Sequence, residues 1–446
     1  MASNPQLAGR RLLVLGAGPA QLGLLRAARE RGLYVVACDR DPLAVGFEYA
    51  DRRAIVSTED EPAVGRLAQA ERVEGVVSPG SDWPVAIAAR VAARLGLSHP
   101  LAPEAAAVAV SKTRQRERFR EAGVPQPRWS PSAEAVDEIG FPCVVKAADR
   151  QGQRGLTFVR DPSELAGAVE LALRESRSGT LVVEEHVEGP ELTVNAFSIG
   201  GVFHPLTVTD RLTADPPAFG VALAHAWPSS LAPAPAPAPA RAGAGARGLL
   251  PESIVSPESA RVGNASSRQR DGVVPHVAAA VEVARLAAEA VGVTDGPTYT
   301  QVRIGAEGPK AMELAARLGG GHDAELCLAA LGVDLNGLAL AAALGEPVEA
   351  PLSQPRGGAC VRFLVAPEGE LAAVVGLEDA LAVDGVLDAH VYRRPGWRFG
   401  PLRRGSDRAG FVLARGDSRD DALERAGLAM ERIRFETVDV EAPVEA

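Results

Sequence analysis

With 446 residues, 46% of them hydrophobic and 23% charged, the chain has room for roughly two to four domains, each with its own core. A formal net charge of −10 excludes a nucleic-acid backbone as the expected partner, although a local basic cleft for one small polyanion is still allowed. No apolar run reaches the roughly 18 residues of a membrane helix, and MASNPQLAGRR leads into a strand-like segment instead of a signal peptide. Cys38, Cys143, Cys327 and Cys360 show neither zinc nor disulfide spacing and read as indifferent thiols in a reducing cytoplasm.

Residues 11–41 read strand, glycine turn, helix, strand, and RVEGVVSPGSD (72–82) is another strand followed by the Ala-rich helix WPVAIAARVAARLG. Such alternation predicts a doubly wound parallel α/β domain over about the first hundred residues. The turn GAGPAQLG (16–23) with Asp39 at the next strand end invites a nicotinamide reading. Gln21 stands where the third glycine belongs and Pro19 flanks the turn, so a structural turn or contact with a smaller substrate is the better expectation.

SKTRQRERFREAG (111–123) predicts a charged helix closed by Gly123, and FPCVVKAAD (141–149) a strand that carries Lys146 outward at its end. A turn with Gly152 and Gly155 follows, then DPSELAGAVELALRES, which has a helix start at Asp161-Pro162. TLVVEEHVEG, PELTVNAFSIGG and VFHPLTVTDR read as further strands, which suggests a small α+β lobe over 141–210. The Ala-Pro and Ala-Gly tract of 229–272 lacks periodicity and reads as a flexible surface insertion. Beyond it come the helix VPHVAAAVEVARLAAEAVG (274–292), a hairpin with its turn at Glu307-Gly308, and a glycine run. Strands, turns and a closing helix capped by Asp417 or Ser418 make up the tail.

Of 47 basic side chains only Lys112, Lys146 and Lys310 are lysines, and a mobile ammonium suits a phosphate oxygen in ways a rigid guanidinium does not. Lys146 beside the Gly152–Gly155 turn offers one point charge and several backbone amides, a combination suited to polyphosphate. Behind an apolar strand, Glu184, Glu185 and Glu191 could let backbone groups read an adenine edge while a carboxylate takes ribose hydroxyls. In KAMELAARLGGG (310–321), Glu313 lies among apolar residues and Arg317 follows it. A carboxylate for Mg²⁺, a guanidinium for a moving phosphoryl group and a glycine-rich helix start suit phosphoryl transfer.

Taken in order, SKTRQRERFREAGVPQP, FPCVVKAADRQGQRGLTFV, VVEEHVEGPELTV and ELAARLGGG resemble the ATP-grasp superfamily, closest to its carboxylate–amine ligases, including the L-amino-acid ligases. The tail PGWRFGPLRRGSDRAGFVLARGDS also looks like the C-terminal portion of that group. The resemblance implies an α/β chain: an N-terminal doubly wound domain (1–110), a connecting helix and linker (111–140), and an ATP-grasp fold. That fold would comprise a small α+β lid (141–210) and a larger α+β body (211–355), followed by a C-terminal subdomain (356–446).

It further implies ATP and Mg²⁺. Lys112 and Lys146 would lie on the phosphates, with the Gly152–Gly155 loop closing over them. The Glu184, Glu185 to Val187 segment would face adenine, Glu191 the ribose, Glu313 the metal and Arg317 the transferred phosphoryl group. Small-molecule carboxylate and amine substrates, amino acids among them, would be joined through an acyl phosphate, and a homodimer is common among similar ligases. The chain departs from the pattern at Gln301, where a second acidic ligand is usual, and at Ala315 in Glu313-Leu314-Ala315-Ala316-Arg317, where Asn is frequent. A nucleotide-binding relative without turnover is the alternative.

Overall fold

The computed structural model of the protein describes residues 7–232 and 276–438. The expected insertion of 229–272 therefore lies, apart from its first four residues, outside the described residues. In the N-terminal domain four parallel strands run in the order Arg52–Ile55, Tyr34–Asp39, Arg11–Leu15, Gly75–Val77. Alternate residues of one strand serve opposite faces. Leu12 and Val14 pack against Leu24, Leu25 and Ala28 of the helix Leu22–Glu30, while Leu13 and Leu15 meet Val64, Ile87 and Val91 on the helices Glu61–Ala70 and Trp83–Leu95. That is the doubly wound arrangement the alternation predicts.

The lid is a four-stranded antiparallel sheet in the order Trp129–Ser130, Leu181–Glu185, Cys143–Ala147, Leu156–Val159. Helix Pro162–Glu175 covers one face through Ala168 and Ala172, set against Cys143, Val145, Val159 and Val183. The other face carries Val144, Lys146, Val182 and Glu184. Strands Glu191–Ile199 and Val202–Thr213, expected in the small lobe, belong elsewhere. Nine- and twelve-residue strands outrun the short lid sheet, and they pair into the large one instead.

That large sheet has eight antiparallel strands in the order Gly308–Ala315, Gly296–Gly305, Glu191–Ile199, Val202–Thr213, Ala222–Trp227, Gly358–Leu364, Gly410–Gly416, Val386–Val391. It runs unbroken from the body into the residues after 356, since Gly358–Leu364 pairs with Ala222–Trp227. The helix His276–Val291 seals one face around Val194, Val302 and Leu314. Gly189 (φ +132) makes the turn from lid to body, and a Cβ there would sit 2.1 Å from the Ile304 carbonyl oxygen. Only glycine permits that close backbone approach.

All four cysteines are buried, and burial pushes the Cys38, Cys327 and Cys360 thiols up to about 12. Among the described residues no helix is long and apolar enough to cross a membrane.

Phe119, fully buried, fastens the helix Lys112–Glu121 into the core of the body. Phe119→Ala is expected to cost about 3–5 kcal/mol, read in urea unfolding as a lower midpoint at unchanged slope.

Candidate active site

The site is assembled around one helix. Ser111 caps the helix Lys112–Glu121 by accepting the Arg114 N–H, so Lys112 opens the first turn. Gln115 bridges this helix to the strand Gly308–Ala315: its carboxamide donates to the Leu314 carbonyl (2.9 Å) and accepts the Leu314 N–H (3.0 Å). Four residues after Lys112, on the same helical face, Arg116 is 2% exposed and donates to the carbonyls of Ala311 and Met312. This double attachment sets Lys112 Nζ 2.7 Å from Glu313 and 2.6 Å from the Arg150 carbonyl oxygen.

Lys146 does not point outward as the sequence suggests. It is 9% exposed and lies 2.6 Å from Glu184, because both side chains occupy the lid face opposite the helix Pro162–Glu175. Glu184 is 1% exposed, with its other oxygen 2.8 Å from Arg116 Nε. Burial opposes its ionisation, but Arg116 and Lys146 outweigh that and hold the carboxyl down to about 2. Likewise burial opposes charge on both Lys112 and Glu313, yet each keeps the other ionised: the ammonium is raised and the carboxyl lowered from their ordinary values. Arg116 was not legible in sequence, since an arginine in RQRER reads as one more solvated charge.

The remaining acidic residues are also committed. Glu185 binds Arg128 (2.6 Å) and Lys310 (2.7 Å), tying the lid to the body hairpin. Glu191 holds Arg211 (2.8 Å) and Arg303 (3.0 Å), and Arg303 also donates to the carbonyl of buried Val187. Gly155 has a packing reason of its own, for a Cβ would meet Ala147 and Glu175 at 2.9 Å, whereas nothing lies near Gly152.

A cavity of about 400 Å³ lies between the three lobes, and Gly152, Lys112, Gln301, Glu313 and Arg317 all border it. Lys146, Gly155, Glu184, Glu185, Val187 and Glu191 are not part of its wall. Gln301 and Glu313 face each other in register on neighbouring antiparallel strands, so their side chains emerge together. Arg317 is clamped by Asp82 of the N-terminal domain (2.6 and 2.7 Å). Sequence reasoning also missed His225, which is buried with Nδ1 2.8 Å from Asp323 and with Nε2 lacking a protein partner. At the turn 16–21, the Gln21 carboxamide accepts the Gly18 N–H and donates to the Pro79 carbonyl and Ser81 Oγ. It fills the concave face a pyrophosphate would need, in line with a structural turn. Among the described residues no group of three or more His, Cys, Asp or Glu side chains could hold a metal by itself.

Glu184 gives the site a pH signature. Its folded pKa is depressed from 4.5 to about 2, so its stabilisation is complete above 4.5 and is lost as pH falls toward about 2. Glu184→Gln leaves two cations with one neutral partner and is expected to cost about 3–5 kcal/mol at neutral pH. Urea unfolding followed by circular dichroism between those pH values should be flatter for the variant than for the wild type.

Residues 104–194 match the family described as carbamoyl-phosphate synthase L chain, ATP binding domain, and residues 362–438 match L-amino acid ligase C-terminal domain 2. Over its length the chain is 27% identical to the formate-dependent phosphoribosylglycinamide formyltransferase of Burkholderia cenocepacia, covering 95% of each chain. It is 26% identical to the protein y4rH of Sinorhizobium fredii, over 89% of this chain and 77% of that one. In fold it is similar to the L-amino acid ligase from Bacillus licheniformis (TM-score 0.72, 18% identity, 97% of this chain and all of that one). It is also similar to the phosphoribosylglycinamide synthetase from Anaerococcus prevotii (TM-score 0.71, 16% identity, 96% and 100% covered). The lid and the eight-stranded body thus share the fold of these two solved structures, and the two matched segments tie parts of this same chain to the two families named above.

Proposed function

We propose that the protein is an ATP-dependent carboxylate–amine ligase that forms an amide or peptide-like bond through an acyl phosphate, releasing ADP and phosphate. The observation that carries this reading is the contact of Lys112 with Glu313 at 2.7 Å beside Gln301 and Arg317 on one cavity wall. Residues from the connecting helix and from the far hairpin meet there as cation, carboxylate and guanidinium. The match of residues 362–438 supports amino acids as substrates.

Phosphoryl transfer asks the protein for positioning and charge stabilisation more than for covalent chemistry. Lys112 and Lys146 would bind phosphate oxygens, each now held in place by a carboxylate, and Gly152 gives the turn above them room to close. The backbone from Glu184 to Val187 would border adenine, with Glu185 bracing that strand from the body, and Glu191 would accept ribose hydroxyls. Glu313 and Gln301, facing each other on neighbouring strands, would hold one Mg²⁺ through their side-chain oxygens, and the ion would supply positive charge against the phosphates. Arg317, held by Asp82, would stabilise charge on the transferred group as the substrate carboxylate attacks. The amine then displaces phosphate from the acyl carbon, and the new C–N bond replaces the C–O bond to phosphate.

ADP release should depend on Mg²⁺ and on supplying both a carboxylate and an amine from a panel of amino acids. Lys146→Met and Arg317→Ala should each lower kcat by on the order of 10²-fold. Nucleotide turnover that no carboxylate and amine pair stimulates would sink the ligase reading.

A further inference from the structure

The cavity wall carries nine cationic side chains and five carboxylates, in a protein whose net charge is −10. Every one of those carboxylates already has donors. Glu59 is paired with Arg177, Asp82 with Arg317 and Glu313 with Lys112. Asp39 accepts the Ala17 and Asp41 N–H groups, and Asp149 the Ser176 hydroxyl and the Arg177 and Ser178 N–H groups. An incoming ammonium therefore finds no uncommitted acid on the wall, whereas an incoming anion finds several guanidinium groups to spare.

Among the described residues five arginines border the cavity without a carboxylate partner: Arg150, whose Nε donates to the Glu175 carbonyl, and Arg40, Arg154, Arg393 and Arg408. The last four come from three lobes: Arg40 follows the parallel strand Tyr34–Asp39, Arg154 lies in the lid turn, and Arg393 and Arg408 come from the C-terminal region. Arg408 is fixed by donating Nε to the Gly405 carbonyl (2.7 Å) and by lying 3.7 Å from the Phe363 ring centre. Arg393 is fixed over Trp397, 4.0 Å from its ring centre, and donates to the Ser406 carbonyl. Burial lowers the Arg154 guanidinium, and Arg404, Arg150, Arg40 and Arg177 lower it further by like-charge repulsion. Arg408 is lowered mainly by burial. Unpaired guanidinium groups gathered around one cavity are stabilised when an anion enters. The triphosphate already has Lys112, Lys146, Arg317 and the metal, so these four exceed its needs.

We propose that one of the two joined substrates carries a second anionic group, a carboxylate or a phosphate beyond any reacting one, and that Arg40, Arg154, Arg393 and Arg408 bind it. The proposal rests on the ligase reading, which assigns the triphosphate to other groups and leaves these four for a substrate.

Calorimetry on the full chain, with and without Mg²⁺ and ADP, compares L-aspartate with L-asparagine and O-phospho-L-serine with L-serine. At least one anion should bind about ten-fold more tightly than its neutral counterpart, and added KCl should narrow the gap. Preference confined to the first pair identifies a carboxylate, and to the second a phosphate. Arg154→Gln and Arg393→Gln, both on partly exposed positions, should each reduce the preference several-fold without changing the circular dichroism melt. Equal affinities in both pairs, no binding of either anion, or a preference that survives both substitutions would overturn the proposal. Saturable ADP binding in the same titrations reports separately on the nucleotide reading, so its loss beside an intact anion preference would count against that reading alone.

Discussion

The buried contact of Arg116 and Lys146 with the two oxygens of Glu184 is the constraint on which the site depends. Three charges withdrawn from water are costly unless each is fully engaged, and here the geometry engages them all. Arg116 adds two backbone carbonyls from the far hairpin, so one guanidinium joins the connecting helix, the lid and the body. Lys112, one helical turn earlier, is thereby delivered to Glu313. Together with the Glu185–Lys310 pair, the triad fixes the lid against the body.

Lys112, Lys146 and Arg317, the cations proposed for the nucleotide, are each already paired with a carboxylate. The pairs hold the ammonium groups in position and keep them charged, which lowers the cost of organising them when phosphate arrives. Under the proposed reading, entry of a polyanion would exchange one negative partner for another instead of burying new charge. Other guanidinium groups on the same cavity, those of Arg40, Arg154, Arg393 and Arg408, have no such partner. The cavity is therefore locally basic, although the protein as a whole is acidic.

Much of this was legible in the sequence. The N-terminal domain follows from its alternating strands and helices, and Lys112, Glu313 and Arg317 stood out because lysines are scarce and a carboxylate sat in an apolar strand. What escaped reading depends on contacts between distant segments. Lys146 looks outward until the face of its strand is known, and Arg116 looks solvated until Glu184 is placed beside it. The lid boundary was misjudged because a run of strands does not say which sheet each one joins. Local pattern determines that Glu191–Ile199 is a strand, but its partner Gly296–Gly305 lies far along the chain.

The four cysteines, unused by the chemistry, have a practical consequence. A thiol pushed up to about 12 is almost wholly protonated at neutral pH, and Cys38, Cys327 and Cys360 are buried as well. Such groups react with an alkylating reagent only when the surrounding structure opens. Cys38 lies in the N-terminal sheet and Cys360 in the large one, while Cys327 sits on the helix Asp323–Leu331. The chain thus carries its own reporters of local opening, one for each of these elements.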